Sequence, residues 1–266
     1  MRELERHTDI TSARPLKVGV LGSGRMGRVL SAGLRSAGVD ASPPLGRGAD
    51  LTAYDTVLLC VPDGQIASVA ALIEPGPLVG HCSGATGLEA LAPHEAFSLH
   101  PLMTVTLRDR SDRLVGAGAA ISGTTARAET IARELAETLG MRPFTLADED
   151  RAAYHAAASI ASNFLVTLEA AAEQVAAGTG AGRELIAPLV RATVENWASL
   201  GGEEALTGPV ARGDEATVLA QRAAVGERAP DLLELFDALV AATRTLSARP
   251  PGRVPTERYG VSTGGS

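Results

Sequence analysis

Lysine is almost missing from this chain. Of its 24 basic residues all but Lys17 are arginines, so no ε-amino group exists anywhere after the first strand. Cysteine is nearly as scarce. The two present, Cys60 and Cys82, sit in apolar or strand-end contexts, which suits reduced thiols in a cytoplasm better than a disulfide framework. No stretch approaches the roughly 20 apolar residues needed to span a bilayer, so no membrane partner is expected. Positive charge is in deficit, with a formal net charge of −7, and this argues against a nucleic-acid binder, which needs a basic face. The opening "MRELERHTDITSARP" is charged and has no apolar core, so it is not read as a secretory signal. It reads instead as a polar arm over residues 1–15, and the protein as cytoplasmic.

What the sequence does have is apolar material in regular blocks. At 266 residues and 45% hydrophobic content it can bury a sizeable core, in one large or two medium domains. "KVGVLG" has the content of a buried parallel strand, and "RMGRVLSAGLRSAG" follows with helical spacing up to Gly38. A weak strand from Asp40 to Leu45 is interrupted by Pro43 and Pro44, which makes it short or an edge. "DTVLLCVP", "GPLVGHCSG", "AFSLHPL", "GAGAAIS" and "RPFTLA" continue as strands, with helices expected at 64–73 and 125–139. This alternation predicts a Rossmann-like, doubly wound parallel sheet over residues 16–147. After Asp148 the character changes. "DEDRAAYHAAASIASNFLVTLEAAAEQVAAG" reads as close to thirty residues of helix, followed by helical stretches at 183–200, 214–225 and 231–246. An all-helical domain over 148–247 is therefore expected, then a Pro/Gly/Ser-rich, disordered tail at 248–266.

Three glycines of "VGVLGSGRMG" lie between the first strand and the first helix, the context in which such a loop has mechanical meaning. Gly22 permits the tight turn, Gly24 lets backbone approach a pyrophosphate, and Gly27 lets helix pack on strand. The helix N-terminus then offers N–H groups to phosphates, with Ser23, Arg25 and Met26 completing the loop. Where an NAD enzyme places a carboxylate to hold the ribose, this chain has Arg47, and Asp40 lies too early in the second strand. A guanidinium at Arg47, helped by Arg25, suits a 2′-phosphate and favours NADP. Ligands of such sheets bind beyond the carboxyl ends of the strands. That nominates Val61, Pro62 and Asp63, then Cys82, Ser83 and Gly84, then His100 and Pro101. Pro62 and Ser83 also have plain readings as a strand stop and a cap. No metal site is assigned.

In "AAYHAAASIASNF", His155, Ser159 and Ser162 or Asn163 recur at helical spacing and share a face among alanines. They either form a site or satisfy one another inside a helical core. In "LTGPVARGDEATV", Asp214 reads as an N-cap, and Arg212 in its glycine-flanked loop suits a substrate carboxylate.

Taken in order, "VGVLGSGRMG", "VLLCVPDGQI", "HCSGATG", "SLHPLMT", "YHAAASIASNF" and "LTGPVARGD" resemble a family of bacterial Rossmann-like proteins carrying a C-terminal helical domain of unknown function, over about residues 16–247. That family is similar in layout to pyrroline-5-carboxylate reductase, ketopantoate reductase and β-hydroxyacid dehydrogenases. The resemblance implies NADP-linked reduction of a small 2-oxo acid, with ketopantoate the leading candidate, and a homodimer built through the helical domain. It also implies a departure. Ketopantoate reductase and β-hydroxyacid dehydrogenases look to a lysine on the helical domain for the proton, and this chain has none there. His155 is the natural substitute, with Ser159 or Asn163 orienting the substrate and Arg212 holding its carboxylate. The alternatives are a cyclic-imine reductase, which needs less proton help, and a non-catalytic NADP-binding sensor or scaffold.

Overall fold

The computed structural model describes residues 16–106 and 108–250. The expected N-terminal arm, and the expected tail from residue 251 on, lie outside these. The chain divides into two compact units, Met1–Ser162 and Asn163–Ser266.

The first unit is built on β1 (Lys17–Leu21), α1 (Arg25–Ser36), β2 (Asp40–Ala41), β3 (Thr56–Leu59), α2 (Ile66–Ala70), β4 (Leu78–His81), β5 (Ala96–Leu102), β6 (Gly118–Gly123), α3 (Ala126–Thr138), β7 (Arg142–Thr145) and α4 (Arg151–Ser159). The seven strands form one sheet in the order β2-β1-β3-β4-β5-β6-β7. Alternate side chains of each strand feed two apolar layers. Val18, Val20 and Leu58 join Leu30 and Leu34 of α1 on one face, whereas Leu21, Val57 and Leu59 meet Ile66 and Ala70 of α2 on the other. Helices on both faces are what make the sheet doubly wound, as the sequence predicts. Two strands depart from the all-parallel expectation: β6 runs antiparallel to β5, and β7, parallel to β6, shares its reversed direction. Parallel neighbours need a long crossover, most often a helix. Among the described residues the segment between β5 and β6 holds only a 3-10 turn at Ser111–Leu114, and the chain doubles back.

The single long helix expected after Asp148 is also interrupted. A 3-10 turn at Asp148–Asp150 precedes α4, a π-helical turn occupies Ile160–Phe164, and α5 (Leu165–Ala176) resumes the α-geometry. A π turn bonds residue i to i+5, so the i, i+4 face that joins His155 to Ser159 changes phase beyond Ile160. The boundary between the compact units falls inside this turn.

The second unit contains α5, α6 (Arg183–Leu200), the single-turn helices α7 (Gly202–Ala205) and α8 (Pro209–Arg212), α9 (Glu215–Arg228) and α10 (Leu233–Ser247). Its buried hydrophobic residues, among those described, are Val218, Val225 and Ala229. Much apolar surface stays open. Phe164, Leu185, Leu189 and Trp197 are each more than half exposed, Trp197 at 61%. Between α5, α9 and α10 lies an apolar groove of about 650 Å³, bounded by Leu168, Val175, Leu232, Phe236 and Leu239. Among the described residues no helix is long and apolar enough to cross a membrane.

Candidate functional site

The glycine turn leaves β1 beside β3, where the strand order reverses direction. In a sheet ordered 2-1-3-4-5 this is the switch point at which ligands bind. Each of its glycines answers a different steric demand. Gly22 has φ +128°, and a side chain there would run into the Cys60 carbonyl. Gly27 is buried against the turn, so that a Cβ would meet the Gly22 carbonyl. Gly24 is the opposite case: its φ of −67° suits any residue, and a Cβ would find nothing within 4 Å. Packing explains Gly22 and Gly27 but leaves Gly24 unexplained unless something approaches from outside. Gly24 caps the N-terminus of α1, whose first turn holds no acidic residue, so the partial positive charge there is uncancelled. The turn therefore fits a dinucleotide pyrophosphate.

The neighbouring strand ends are tied to this turn. Gly22 N–H donates to the Leu45 carbonyl at 3.0 Å, and Leu45 N–H donates to the Val20 carbonyl at 2.8 Å. Arg47 is exposed in the turn that follows, and Arg25 is exposed as the first residue of α1. Ser23 is exposed, and its carbonyl accepts from Arg28 Nε at 2.9 Å; Met26 packs its side chain against the core. After β3 come half-buried Val61 and exposed Pro62 and Asp63. Ser83, buried after β4, joins the two loops: its hydroxyl lies 2.8 Å from Asp63 Oδ2 and accepts from Thr86 N–H at 2.9 Å.

A polar row crosses the sheet next to these loops, and composition gives no hint of it. Strand register places His81 beside Ser98, and Ser98 beside Ser122. The two serine hydroxyls are 2.8 Å apart. Arg151, from the first turn of α4 and 3% exposed, reaches both, donating to Ser98 Oγ at 3.0 Å and Ser122 Oγ at 2.6 Å. Its Nε donates to Asp148 at 2.6 Å, so the buried charge is paired. His100 lies two residues beyond Ser98 in β5 and hence on the same face. Its Nδ1 is 2.6 Å from the Tyr154 hydroxyl, and its ring stacks edge-on to Tyr154 and lies 6.5 Å from that of His155.

Burial sets the protonation of this cluster. Desolvation, reinforced by the Arg151 charge, pushes the His81 pKa down to about 4, and the Gly87 backbone offsets this only in part. His81 Nδ1 accepts from Ser83 N–H at 3.2 Å, so the neutral ring carries its proton on Nε2. Desolvation, then the neighbouring His155, hold His100 at about 4 as well. Burial raises the Tyr154 phenol to about 12, against the opposing pull of Arg151. At neutral pH the site thus presents two neutral imidazoles and a neutral phenol. These shifts carry a stability consequence. Unfolded imidazoles take up protons near pH 6.5, whereas the native His81 and His100 resist until about 4. In that window the unfolded chain binds more protons, so stability is full above 6.5 and falls as the pH drops toward 4, by on the order of a few kcal/mol. Denaturant midpoints at pH 7 and pH 5 check this; equal values would contradict neutral buried histidines.

The structure therefore brings together the glycine turn, Arg25, Arg47, Val61, Pro62, Ser83 and His100 along one sheet, with His155 and Ser159 on α4. His155 is exposed, and Ser159 is half-buried. Asn163 and Arg212 belong to the second unit. Asn163 is exposed, its carbonyl accepting from Thr167 Oγ1, and Arg212 is exposed at the end of α8. Asp214 caps α9, accepting from Thr217 N–H at 3.1 Å. Five members of the cluster escaped the sequence reading: His81, Ser98, Ser122, Arg151 and Tyr154. His81 is the lone basic residue in the apolar strand "PLVGHC", a signal that was available; the two serines carried none, and Arg151 and Tyr154 none beyond their proximity to His155. Among the described residues no group of His, Cys, Asp and Glu is placed to hold a metal ion.

Comparison with known proteins bears on the fold. No curated protein matches the sequence. Among solved structures, a protein from Bacteroides fragilis proposed to be an NADP oxidoreductase superimposes with a TM-score of 0.76 at 17% identity, over 87% of this chain and 98% of that one. A protein from Thermotoga maritima does so with a TM-score of 0.76 at 24% identity, over 87% and 100%. Pyrroline carboxylate reductase from Plasmodium falciparum, solved with NADP bound, gives 0.54 at 13% identity, over 88% and 98%. Residues 117–243, from the start of β6 into α10, match the family model described as a domain of unknown function, DUF2520, and the chain shares a Rossmann-like fold with these proteins.

Proposed function

We propose that this protein is an NADP-dependent oxidoreductase that reduces a small oxo or imino acid, ketopantoate being the first candidate. The observation that carries the reading is Gly24: a glycine with permissive backbone and open space in front of it, at the switch point of the sheet and the N-terminus of α1. Gly22, Ser23, Gly24 and Met26 would receive the pyrophosphate and Arg25 and Arg47 the 2′-phosphate. Val61, Pro62 and Ser83 would line the nicotinamide end. The nicotinamide supplies the hydride; the protein's own task is to orient the substrate and deliver a proton. His155 is assigned as the donor because it is exposed on α4 beside the His100–Tyr154 pair, and imidazole is a general acid–base group. Ser159 lies one turn further on α4 and would steady the carbonyl oxygen. Asn163 and Arg212 are assigned to substrate binding, Arg212 to its carboxylate.

A cyclic imine is the second candidate. The absence of any lysine beyond Lys17 favours a substrate that arrives already protonated, and one solved structure of the same fold is a pyrroline carboxylate reductase. Following NADPH oxidation with ketopantoate, pyrroline-5-carboxylate and several β-hydroxyacid precursors decides between the two. For an oxo substrate, His155→Ala should lower kcat by about 100-fold and leave NADPH affinity unchanged. Wild-type turnover in that variant would remove the donor, and NADPH binding without turnover of any substrate would favour a cofactor-binding sensor. The open apolar surface of Phe164, Leu185, Leu189 and Trp197, together with the α5–α9–α10 groove, supports a homodimer through the helical unit. Sedimentation should accordingly give twice the 27.2 kDa chain mass, and a monomer at micromolar concentration would contradict it.

A further inference from the structure

We propose that Cys60 and Cys82 form a reversible disulfide that ties the ends of β3 and β4 together beneath the glycine turn and weakens dinucleotide binding. They are the only two cysteines of the chain, 22 positions apart, yet their Sγ atoms stand 3.7 Å from each other. The ladder brings them there. Cys82 N–H donates to the Leu59 carbonyl, and Cys60 N–H to the Leu21 carbonyl, so both follow directly on paired parallel strands. Neighbouring strands lie about 4.8 Å apart, within the Cα separation that a disulfide accepts. Both residues are half-buried, shielded from bulk thiols yet within reach of a small oxidant such as hydrogen peroxide.

The hydrogen bond between the two thiols, together with burial, pushes the Cys82 thiol well up, so Cys82 is assigned the second, resolving step. In the first step the Cys60 sulfur attacks one peroxide oxygen, the O–O bond breaks and water leaves, giving a sulfenic acid. In the second the Cys82 sulfur attacks the Cys60 sulfur, the S–O bond breaks, and a second water carries away the remaining protons. Two thiols and one peroxide thus yield one disulfide and two waters.

Contraction from thiol contact to a bond of about 2.0 Å moves both sulfurs and pulls on the backbone that carries them. Cys60 packs against the turn: its carbonyl faces Gly22 and its Cβ faces Gly27, at the places where side chains on those glycines would stand. Displacement of Cys60 therefore passes into the loop assigned to the pyrophosphate. The bond itself is independent of the reductase reading, whereas its effect on affinity rests on that reading.

The test treats the full-length protein with hydrogen peroxide, counts free thiols, maps peptides without reductant, and measures NADPH affinity before and after. Both thiols should vanish together, one intramolecular Cys60–Cys82 peptide should appear, and dithiothreitol should reverse it. Affinity for NADPH should fall about tenfold in the oxidised protein and stay constant in peroxide-treated Cys60→Ser and Cys82→Ser. Sulfinic acid or intermolecular disulfides in place of the internal bond would overturn the proposal. An internal bond with unchanged affinity would overturn the coupling. Failure of even the reduced protein to bind NADPH would instead overturn the reductase reading and the coupling with it, while the peptide map still judges the bond.

Discussion

Gly24→Val is expected to leave the fold intact and to weaken NADPH binding at least about 100-fold, whereas Gly27→Val is expected to unfold the first unit. The two glycines are three residues apart in the same turn, yet their surroundings are opposite. At Gly24 the backbone is in a region open to every residue, and nothing stands within 4 Å of the added Cβ, so stability should change by no more than about 1 kcal/mol. The valine methyls would occupy the space in front of the α1 N-terminus, where the pyrophosphate must come against backbone N–H groups. At Gly27 the first carbon already collides with the Gly22 carbonyl, and the Cys60 side chain blocks retreat. Backbone, not a flexible side chain, would have to yield, which costs about 3 kcal/mol or more. Thermal melts and NADPH titrations on the two variants read both effects. A Gly24→Val protein that binds NADPH like the wild type would show that the phosphates lie elsewhere.

Arg151→Ala should destabilise the first unit by about 3 kcal/mol. The guanidinium is the one charged group in the buried polar row and connects α4 to both β5 and β6 through Ser98 and Ser122. Its removal empties the volume it fills and releases Asp148, whose exposed carboxylate rehydrates and limits the loss. Arg151→Met, which refills the space with apolar atoms, should recover part of the stability, because the two serines can still bond to each other at 2.8 Å. The electrostatic signature is separate from the packing one. Arg151 contributes to holding both His81 and His100 down, so without it their titration should move upward, toward the ordinary histidine range. An unfolding free energy within about 1 kcal/mol of wild type would mean that Arg151 is not what fixes α4 to the sheet.

What the sequence disclosed and what it hid divide along chain distance. The glycine turn, β1 and α1 are local patterns: a buried strand, three glycines at fixed offsets and a helical period, all within twenty residues. The sequence nominates His100 as a strand-end residue; the structure places it inside β5, two residues short of that strand's end at Leu102 and against Tyr154. The row formed by His81, Ser98, Ser122 and Arg151 is not local. It exists only once the register of three strands is fixed, and one of those pairings is antiparallel where alternation predicts parallel. Arg151 stands next to "DED" with no sequence cue to its burial, and only its contacts show its side chain turned onto β5 and β6. The π turn at 160–164 has no compositional marker either. It breaks the helical count on which the grouping of His155, Ser159 and Asn163 depended, and that grouping holds only as far as Ser159.

The central claim is that the open turn around Gly24 receives a pyridine dinucleotide. Calorimetric titration of NADPH into the purified wild-type protein, repeated with NADH, tests it most directly. One saturable site per chain is predicted, tighter for NADPH than for NADH because Arg25 and Arg47 flank the turn. Absence of any binding heat at millimolar nucleotide would contradict the claim, and with it the reductase reading.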